Sequence, residues 1–262
     1  VIVNDLGTAV DGEGRDAGPA EAVAAEICDS GGSARADFTD VTDSSAAAQL
    51  VRTTVQQFGR LDGVVANAGT VRWAGFPEVD AQNLAHHLEV HVGGAFHVTR
   101  AAWPQFVKQG YGRVVMTTST GVFGLPDNTS YAAAKAAVIG LVRSAALAGG
   151  PKGIMVNAIA PAAMTRMAGG GGDDGSLRPE AVAPLVALLV HELCPVNGET
   201  YTAGGGRFGR LLLGSTDGWV ADHSPTPEDV LAHWSAIQDP RSVLFPPDLL
   251  AWSRAFLEHL RS

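Results

Sequence analysis

Strand-like and helix-like segments alternate along most of this chain, and that rhythm leaves few folds open. Strands joined through helices pair in parallel, so the alternation predicts a doubly wound parallel sheet of the Rossmann-like α/β class. The predicted strands are 1–3, 33–38, 61–66, 113–118, 154–159 and 199–203, the last in the series. Helices are predicted over 19–29, stopped by Gly31-Gly32, and over 44–58, closed by Gly59. A long helix over 80–109 has its kink at Gly93-Gly94. Another covers 130–148, with Asn128, Thr129 and Ser130 as candidate caps, and a further one lies within 177–192. Four consecutive glycines and two aspartates make 167–176 a flexible loop.

Near Gly206 the rhythm changes. Residues 1–206 read as a dinucleotide-binding core, and 207–262 as a helical extension packed on it. In the extension, Thr226-Pro227-Glu228-Asp229 supplies a cap, a first-position proline and acids for the positive end of a helix. Leu249, Trp252, Phe256 and Leu260 fall on one face of a final helix.

Composition narrows the partners. With 46% hydrophobic and 17% charged residues in 262, the chain can bury a large core. A net charge of -9 argues against nucleic acid and anionic membranes. It leaves room for a phosphate-bearing cofactor held by backbone amides. Cys28 and Cys194 are too few for a disulfide framework, which implies a reducing, cytoplasmic setting. No signal peptide is read at the N-terminus. The longest apolar stretch, 185–190, is too short to span a bilayer. The expected partner is a small molecule.

The chemistry gathers at strand ends. Tyr131 and Lys135 stand four apart, so on a helix they share a face. There an ammonium favours the ionised phenol, whose ordinary pKa is about 10, and makes it a proton-transfer group. Ser119 and Thr118 lie a short way upstream. Asp5, Asp40-Val41, Asn67-Ala68-Gly69, Ser119 and Pro161 each follow a predicted strand, at the edge where open α/β sheets bind ligands.

Together these features resemble the short-chain dehydrogenase/reductase family over residues 1 to about 206. The resemblance is carried by Phe58-Gly-Arg-Leu-Asp62, Val64-Val-Ala-Asn-Ala-Gly69, Tyr131-Ala-Ala-Ala-Lys135 and Val156-Asn-Ala-Ile-Ala-Pro161. Val3-Asn-Asp-Leu-Gly7, Val98-Thr-Arg-Ala-Ala-Trp103, Gly112-Arg-Val-Val-Met-Thr117 and Ala183-Pro-Leu-Val186 are similar to one branch. That branch holds the (3R)-hydroxyacyl-CoA dehydrogenase part of the peroxisomal multifunctional enzyme and bacterial hydroxysteroid dehydrogenases. The resemblance implies that Tyr131 transfers the proton, Lys135 lowers its pKa and binds the nicotinamide ribose, and Ser119 orients the substrate oxygen. It implies that Asp5 accepts from the adenosine ribose, which favours NAD, since a 2′-phosphate would meet a carboxylate. Asp40 and Val41 would flank the adenine, Asn67, Ala68 and Gly69 would lie along the cofactor, and Pro161 and Thr165 would approach the nicotinamide. No metal is implied. Homodimers or homotetramers built through helices at 95–109 and 130–148 are.

Four places depart from the family pattern. The glycine-rich turn that holds a pyrophosphate should precede Asp5 by roughly twenty residues, so it and the first strand are expected to be absent from this sequence. An incomplete sequence or an abandoned cofactor would each explain that. The serine stands twelve residues before Tyr131 where thirteen is usual, with Thr118 as the alternative hydroxyl. His91 occupies the place of a relay asparagine, either as a proton relay or as a structural residue at the helix kink. Ala162 replaces the usual glycine after Pro161, and Thr165 is shifted.

Other signals are set aside. The G-x-G-x-x-G run at 204–209 is read as a turn, because no helix follows it. His87 and His91 lack a third metal ligand and are read as solvated, and Arg100 and Arg113 as surface charges. The expected function is NAD-dependent interconversion of a secondary alcohol and a ketone on a bulky apolar substrate, with residues 169–172 as a lid. The alternative is a family member that has lost catalysis and serves as a binding or scaffold protein.

Overall fold

The computed structural model describes residues 1–168 and 175–260, which form two compact units, Val1–Arg210 and Leu211–Ser262. The first opens with β1 (Ile2–Asn4), α1 (Gly18–Asp29), β2 (Arg35–Asp37) and α2 (Ser44–Phe58). Asp43 caps α2 by accepting from the amides of Ser45 and Ala46, and Gly59 closes it in the left-handed conformation. Then come β3 (Gly63–Ala66), α3 (Ala81–His87) and α4 (Gly94–Gln109). The predicted kink takes the form of a π-helical turn, Leu88–Gly93, which joins α3 to α4. Next are β4 (Gly112–Thr117), α5 (Thr129–Gly149), β5 (Ile154–Pro161), α6 (Ala183–Val190), β6 (Thr200–Gly204) and β7 (Arg207–Leu211).

The sheet lies in two pieces. β1 pairs with β2 in parallel, and a five-stranded sheet runs β3-β4-β5-β6-β7, with β3 through β6 parallel. β1 and β3 are each an edge strand, and Val65 of β3 is 47% exposed where β4 is buried over most of its length. Two faces are covered, as the pleat requires. Val114 and Met116 of β4 join Val156, Phe106, Val138 and Val142 on one side. Val115, between them, points to the other side with Ile159, Leu189 and Ala203. β6 is not the last strand: Gly205 and Gly206, both at positive φ, turn the chain into β7. That turn uses the glycines of the G-x-G-x-x-G run, and β7 follows where a phosphate-binding unit would need a helix.

By length and composition α5 belongs to a segment, Thr129–Lys152, apolar enough to cross a bilayer, with mean hydropathy 1.4. It exceeds the unbroken apolar run at 185–190 because it admits Lys135 and Arg143. α5 packs on β5 and on the π turn, and it buries Lys135, so its apolar character serves the core.

The second unit pairs β8 (Ser215–Thr216) antiparallel with β9 (Val243–Leu244) and carries three short helices, α7 (Pro227–Ala232), α8 (Trp234–Ile237) and α9 (Leu249–Phe256). Thr226 and Asp229 form the capping box of α7 behind Pro227, as their order in the sequence implies. Leu260 does not continue α9 and lies in a separate turn, Glu258–Leu260.

Candidate active site

Within each of the two sheets neighbouring strands run parallel, so their carboxyl ends share one edge. Asp5 follows β1, Asp40 and Val41 follow β2, Asn67 follows β3, Ser119 follows β4, and Pro161 ends β5. Ser119 is the cap of a short 3-10 turn, Thr120–Phe123, its hydroxyl accepting from the Gly121 amide at 3.0 Å. That turn carries the chain to α5, whose first turns hold Tyr131 and Lys135.

The two candidate hydroxyls part here. Thr118 is 1% exposed and donates to the backbone carbonyl of Lys135 at 2.6 Å. Ser119 stands beside Tyr131: a Cβ on Gly121 would lie 3.3 Å from Ser119 Oγ and 3.4 Å from Tyr131 Cε1, and the serine hydroxyl favours the ionised phenol. The hydroxyl that faces the tyrosine is therefore Ser119, while Thr118 ties β4 to α5.

Lys135 is 3% exposed, and its Nζ donates to the Thr117 carbonyl at 2.8 Å. Nζ lies 5.6 Å from the Tyr131 ring centroid. Burial pushes Lys135 down to about 7, so near neutrality the amine is only partly charged. Burial pushes Tyr131 up, opposed by the Ser119 hydroxyl. Desolvation acts on both partners, raising the phenol and lowering the amine, and so opposes the lowering of the phenol expected from Lys135.

His91 lies on the π turn, 3% exposed, its ring edge-to-face with Tyr131 at 5.2 Å and 89°. Its Nε2 pairs with the Thr70 carbonyl at 2.9 Å; a carbonyl only accepts, so Nε2 carries the proton. Burial, and then Lys135, push His91 down to about 3, so the ring is neutral. Its Nδ1 is buried without a hydrogen-bond partner. Gly69 makes room for this ring: a Cβ there would stand 2.8 Å from Cε1 of His91.

His87, like His91, corrects the reading of a solvated residue. It is fully buried, stacked on His91 at 5.9 Å, with Nε2 accepting from the Arg72 amide and Nδ1 donating to the Asn83 carbonyl. Both rings stand edge-to-face with Tyr131 of α5, His87 at 6.1 Å and His91 at 5.2 Å. Arg113 is likewise no surface charge. It is 5% exposed and donates to the carbonyls of Gly112, Gly153, His191 and Glu192, at the strand end opposite the site. Among the described residues no His/Cys/Asp/Glu group is arranged to hold a metal.

The residues expected to hold a cofactor follow strand ends of both sheets. Asp5 is exposed, and one carboxylate oxygen accepts from the Gly7 amide at 2.7 Å. Asp40 holds the turn at Thr42 through the Thr42 amide and hydroxyl. Val41 packs against Gly94, and its carbonyl pairs with His97 Nδ1 at 3.1 Å. Asn67 and Ala68 are exposed, with Asn67 Oδ1 accepting from Thr117 Oγ1 at 2.8 Å. Pro161 is half-buried and Thr165 exposed, and the expected lid at 169–172 lies outside the described residues. The exposed carboxylate of Asp5 can accept from ribose hydroxyls and the buried amine of Lys135 can donate to them, so the chemistry of these residues fits a dinucleotide.

The short chain dehydrogenase family model matches residues 6–170. A short-chain type dehydrogenase/reductase of Mycobacterium tuberculosis is 44% identical over 91% of this chain and 85% of its own length. Mouse peroxisomal multifunctional enzyme type 2 is 39% identical over 91% of this chain, which spans only 33% of that enzyme. A solved 7α-hydroxysteroid dehydrogenase, complexed with NADH and 7-oxo glycochenodeoxycholic acid, is similar with a TM-score of 0.68 and 28% identity, covering 78% of this chain and 83% of that one.

Proposed function

This chain belongs to the short-chain dehydrogenase family, and on that premise we propose that it is an NAD-dependent oxidoreductase interconverting a secondary alcohol and a ketone on a bulky apolar substrate, a 3-hydroxyacyl-CoA or a hydroxysteroid. The observation that carries this reading is the convergence of Ser119, Tyr131 and Lys135, with Thr118 committed elsewhere.

NAD supplies the hydride acceptor. The protein's own part is proton management and orientation. Ser119 donates to the substrate oxygen, and Tyr131 exchanges the proton of that same oxygen. A phenol held above its ordinary pKa is protonated at neutrality, the form that donates to a ketone oxygen. Alcohol oxidation needs the phenolate, whose share grows as pH rises. The protonated fraction of Lys135 supports the phenolate, and its Nζ would serve a ribose hydroxyl. His91 presents a neutral ring beside Tyr131, and its unpartnered Nδ1 suits a buried water within a relay.

Asp5 supports NAD over its phosphorylated form, since a 2′-phosphate would stand against its carboxylate. Assembly as a homo-oligomer is part of the proposal: Phe96 and Val107 of α4 and Leu147 of α5 are exposed apolar residues on the helices expected to pair. Both cysteines are free thiols, which supports a cytoplasmic setting.

The test is NAD and NADP reduction by the full-length protein against a panel of hydroxysteroids and 3-hydroxyacyl-CoAs. Turnover with NAD on one of these classes, lost in Tyr131→Phe, supports the reading. Absence of turnover across the panel, or full turnover by Tyr131→Phe, overturns it.

A further inference from the structure

Three histidines hold one short segment of backbone, residues 70–72, which follows the Asn67-Ala68-Gly69 turn. His86 Nε2 pairs with the Thr70 hydroxyl at 2.9 Å, His91 Nε2 donates to the Thr70 carbonyl at 2.9 Å, and His87 Nε2 accepts from the Arg72 amide at 3.1 Å. On its other side the segment meets the loop after β1. The Val71 amide donates to the Val10 carbonyl at 2.8 Å, and Arg72 donates to the Asp11 carbonyl and pairs with Glu13.

Of the three rings, His87 is the one whose bonds permit a single charge state. Its Nδ1 faces the Asn83 carbonyl at 2.8 Å, which only accepts, so Nδ1 carries the proton. Its Nε2 faces the Arg72 amide, which only donates, so Nε2 is bare. A second proton would remove that acceptor and set N–H against N–H. His91 donates from Nε2 in either charge state, and His86 can donate to or accept from a hydroxyl. The titratable groups facing His87 are Arg72 from the segment itself, His86 on α3, His91 on the π turn, and Tyr131 and Lys135 on α5. Burial pushes His87 below its ordinary value. The Asn83 carbonyl opposes this, and the charges of Arg72 and Lys135 add to it.

We propose that His87 is an acid-operated latch on residues 70–72. Protonation at Nε2 breaks the bond from the Arg72 amide, the segment parts from α3, and the imidazolium gains access to water. The proton is taken from solvent on opening and returned to it on closing. Because the Thr70 carbonyl holds His91 and Gly69 borders its ring, opening also unseats the imidazole beside Tyr131. The latch regulates the site from outside its proton chemistry, and it does not depend on which substrate is turned over. An open segment whose His87 titrates near 6.5 takes up a proton that the closed one refuses. The ratio of open to closed therefore rises as pH falls below about 6.5, with His87 contributing up to about tenfold per pH unit until the closed-state value is reached.

Hydrogen exchange on the full chain, free of any ligand, reads the latch. Exchange rates are divided by those of an unstructured peptide at each pH. Between pH 7 and pH 5, protection at the amides of Val71 and Arg72 should fall by about tenfold while β4 keeps its own. His87→Gln offers a side-chain carbonyl to the Arg72 amide and does not titrate, so it should hold protection within about threefold over the same range. Unchanged protection at 71 and 72 in the native chain overturns the latch. An equal fall in His87→Gln overturns it too, and would move the effect to His86 or His91. A parallel loss in β4 would mean that the whole chain unfolds, which also overturns it. Should His87→Gln fail to fold, imidazole nitrogen shifts in the native chain decide. His87 gaining its proton over the interval in which protection is lost supports the latch, and a ring that stays neutral through that interval overturns it.

Discussion

The Thr118 hydroxyl donates to the backbone carbonyl of Lys135 at 2.6 Å, which makes it a clamp between β4 and the helix of the proton-transfer pair. Its neighbour Ser119 is left to face Tyr131. One hydrogen bond thus decides which of two adjacent hydroxyls can touch a substrate.

Exchanging the two roles by mutation should separate stability from turnover. Thr118→Val removes a buried bond and should cost about 1–2 kcal/mol, with KM little changed. Ser119→Ala should leave stability within about 1 kcal/mol and lower kcat by on the order of a hundredfold. Urea denaturation and steady-state kinetics on both variants check this, and a larger kcat loss in Thr118→Val than in Ser119→Ala would reverse the assignment.

The direction of the Tyr131 shift fixes the pH behaviour. A raised pKa keeps the phenol protonated through neutrality, so alcohol oxidation should accelerate on the alkaline side, and ketone reduction should hold steady and then fall there. Rates measured from pH 6 to 10 in both directions test it. Tyr131→Phe should lose about 100- to 10,000-fold in kcat in each.

Lys135 links the site to stability. Unfolded, its amine titrates near 10.5, and folded, near 7, so between those values the unfolded chain holds a proton the folded chain has shed. Stability therefore rises with pH across that window, and the cost of burying the ammonium is fully present below pH 7. Lys135→Met removes that cost. Relative to the native chain it should gain about 2–3 kcal/mol more at pH 6 than at pH 9. Equal effects of the substitution at the two pH values would contradict the shift.

Gly69 and His91 should behave as a coupled pair. A Cβ at 69 would press on Cε1 at 2.8 Å, and the ring is held by Thr70 and by stacking on His87. Gly69→Ala should cost about 1–3 kcal/mol, with most of the loss recovered when His91→Ala is added. Additive losses in the double mutant would show that the ring can move aside.

Much of the fold could be read from periodicity. Valine-rich runs gave the strands, and Gly59 marked the end of α2, whose start the structure shows capped by Asp43. β7 escaped notice because its alternation, Arg207-Phe-Gly-Arg-Leu211, follows a glycine turn that reads as a terminus.

By itself, the sequence determined the parallel α/β class, the edge where the chemistry gathers, and the Tyr131/Lys135 pair on one helical face. Strand and helix periods are local, and parallel strands put their ends on one side whatever the details of packing. The tertiary structure alone decided that Ser119 and not Thr118 meets the phenol, that His87 is buried, that Arg113 clamps the far end of the sheet, and that burial moves Tyr131 and Lys135 in opposite directions. Each of those depends on distance and desolvation between residues far apart in the chain, and neither quantity is carried by spacing along a sequence.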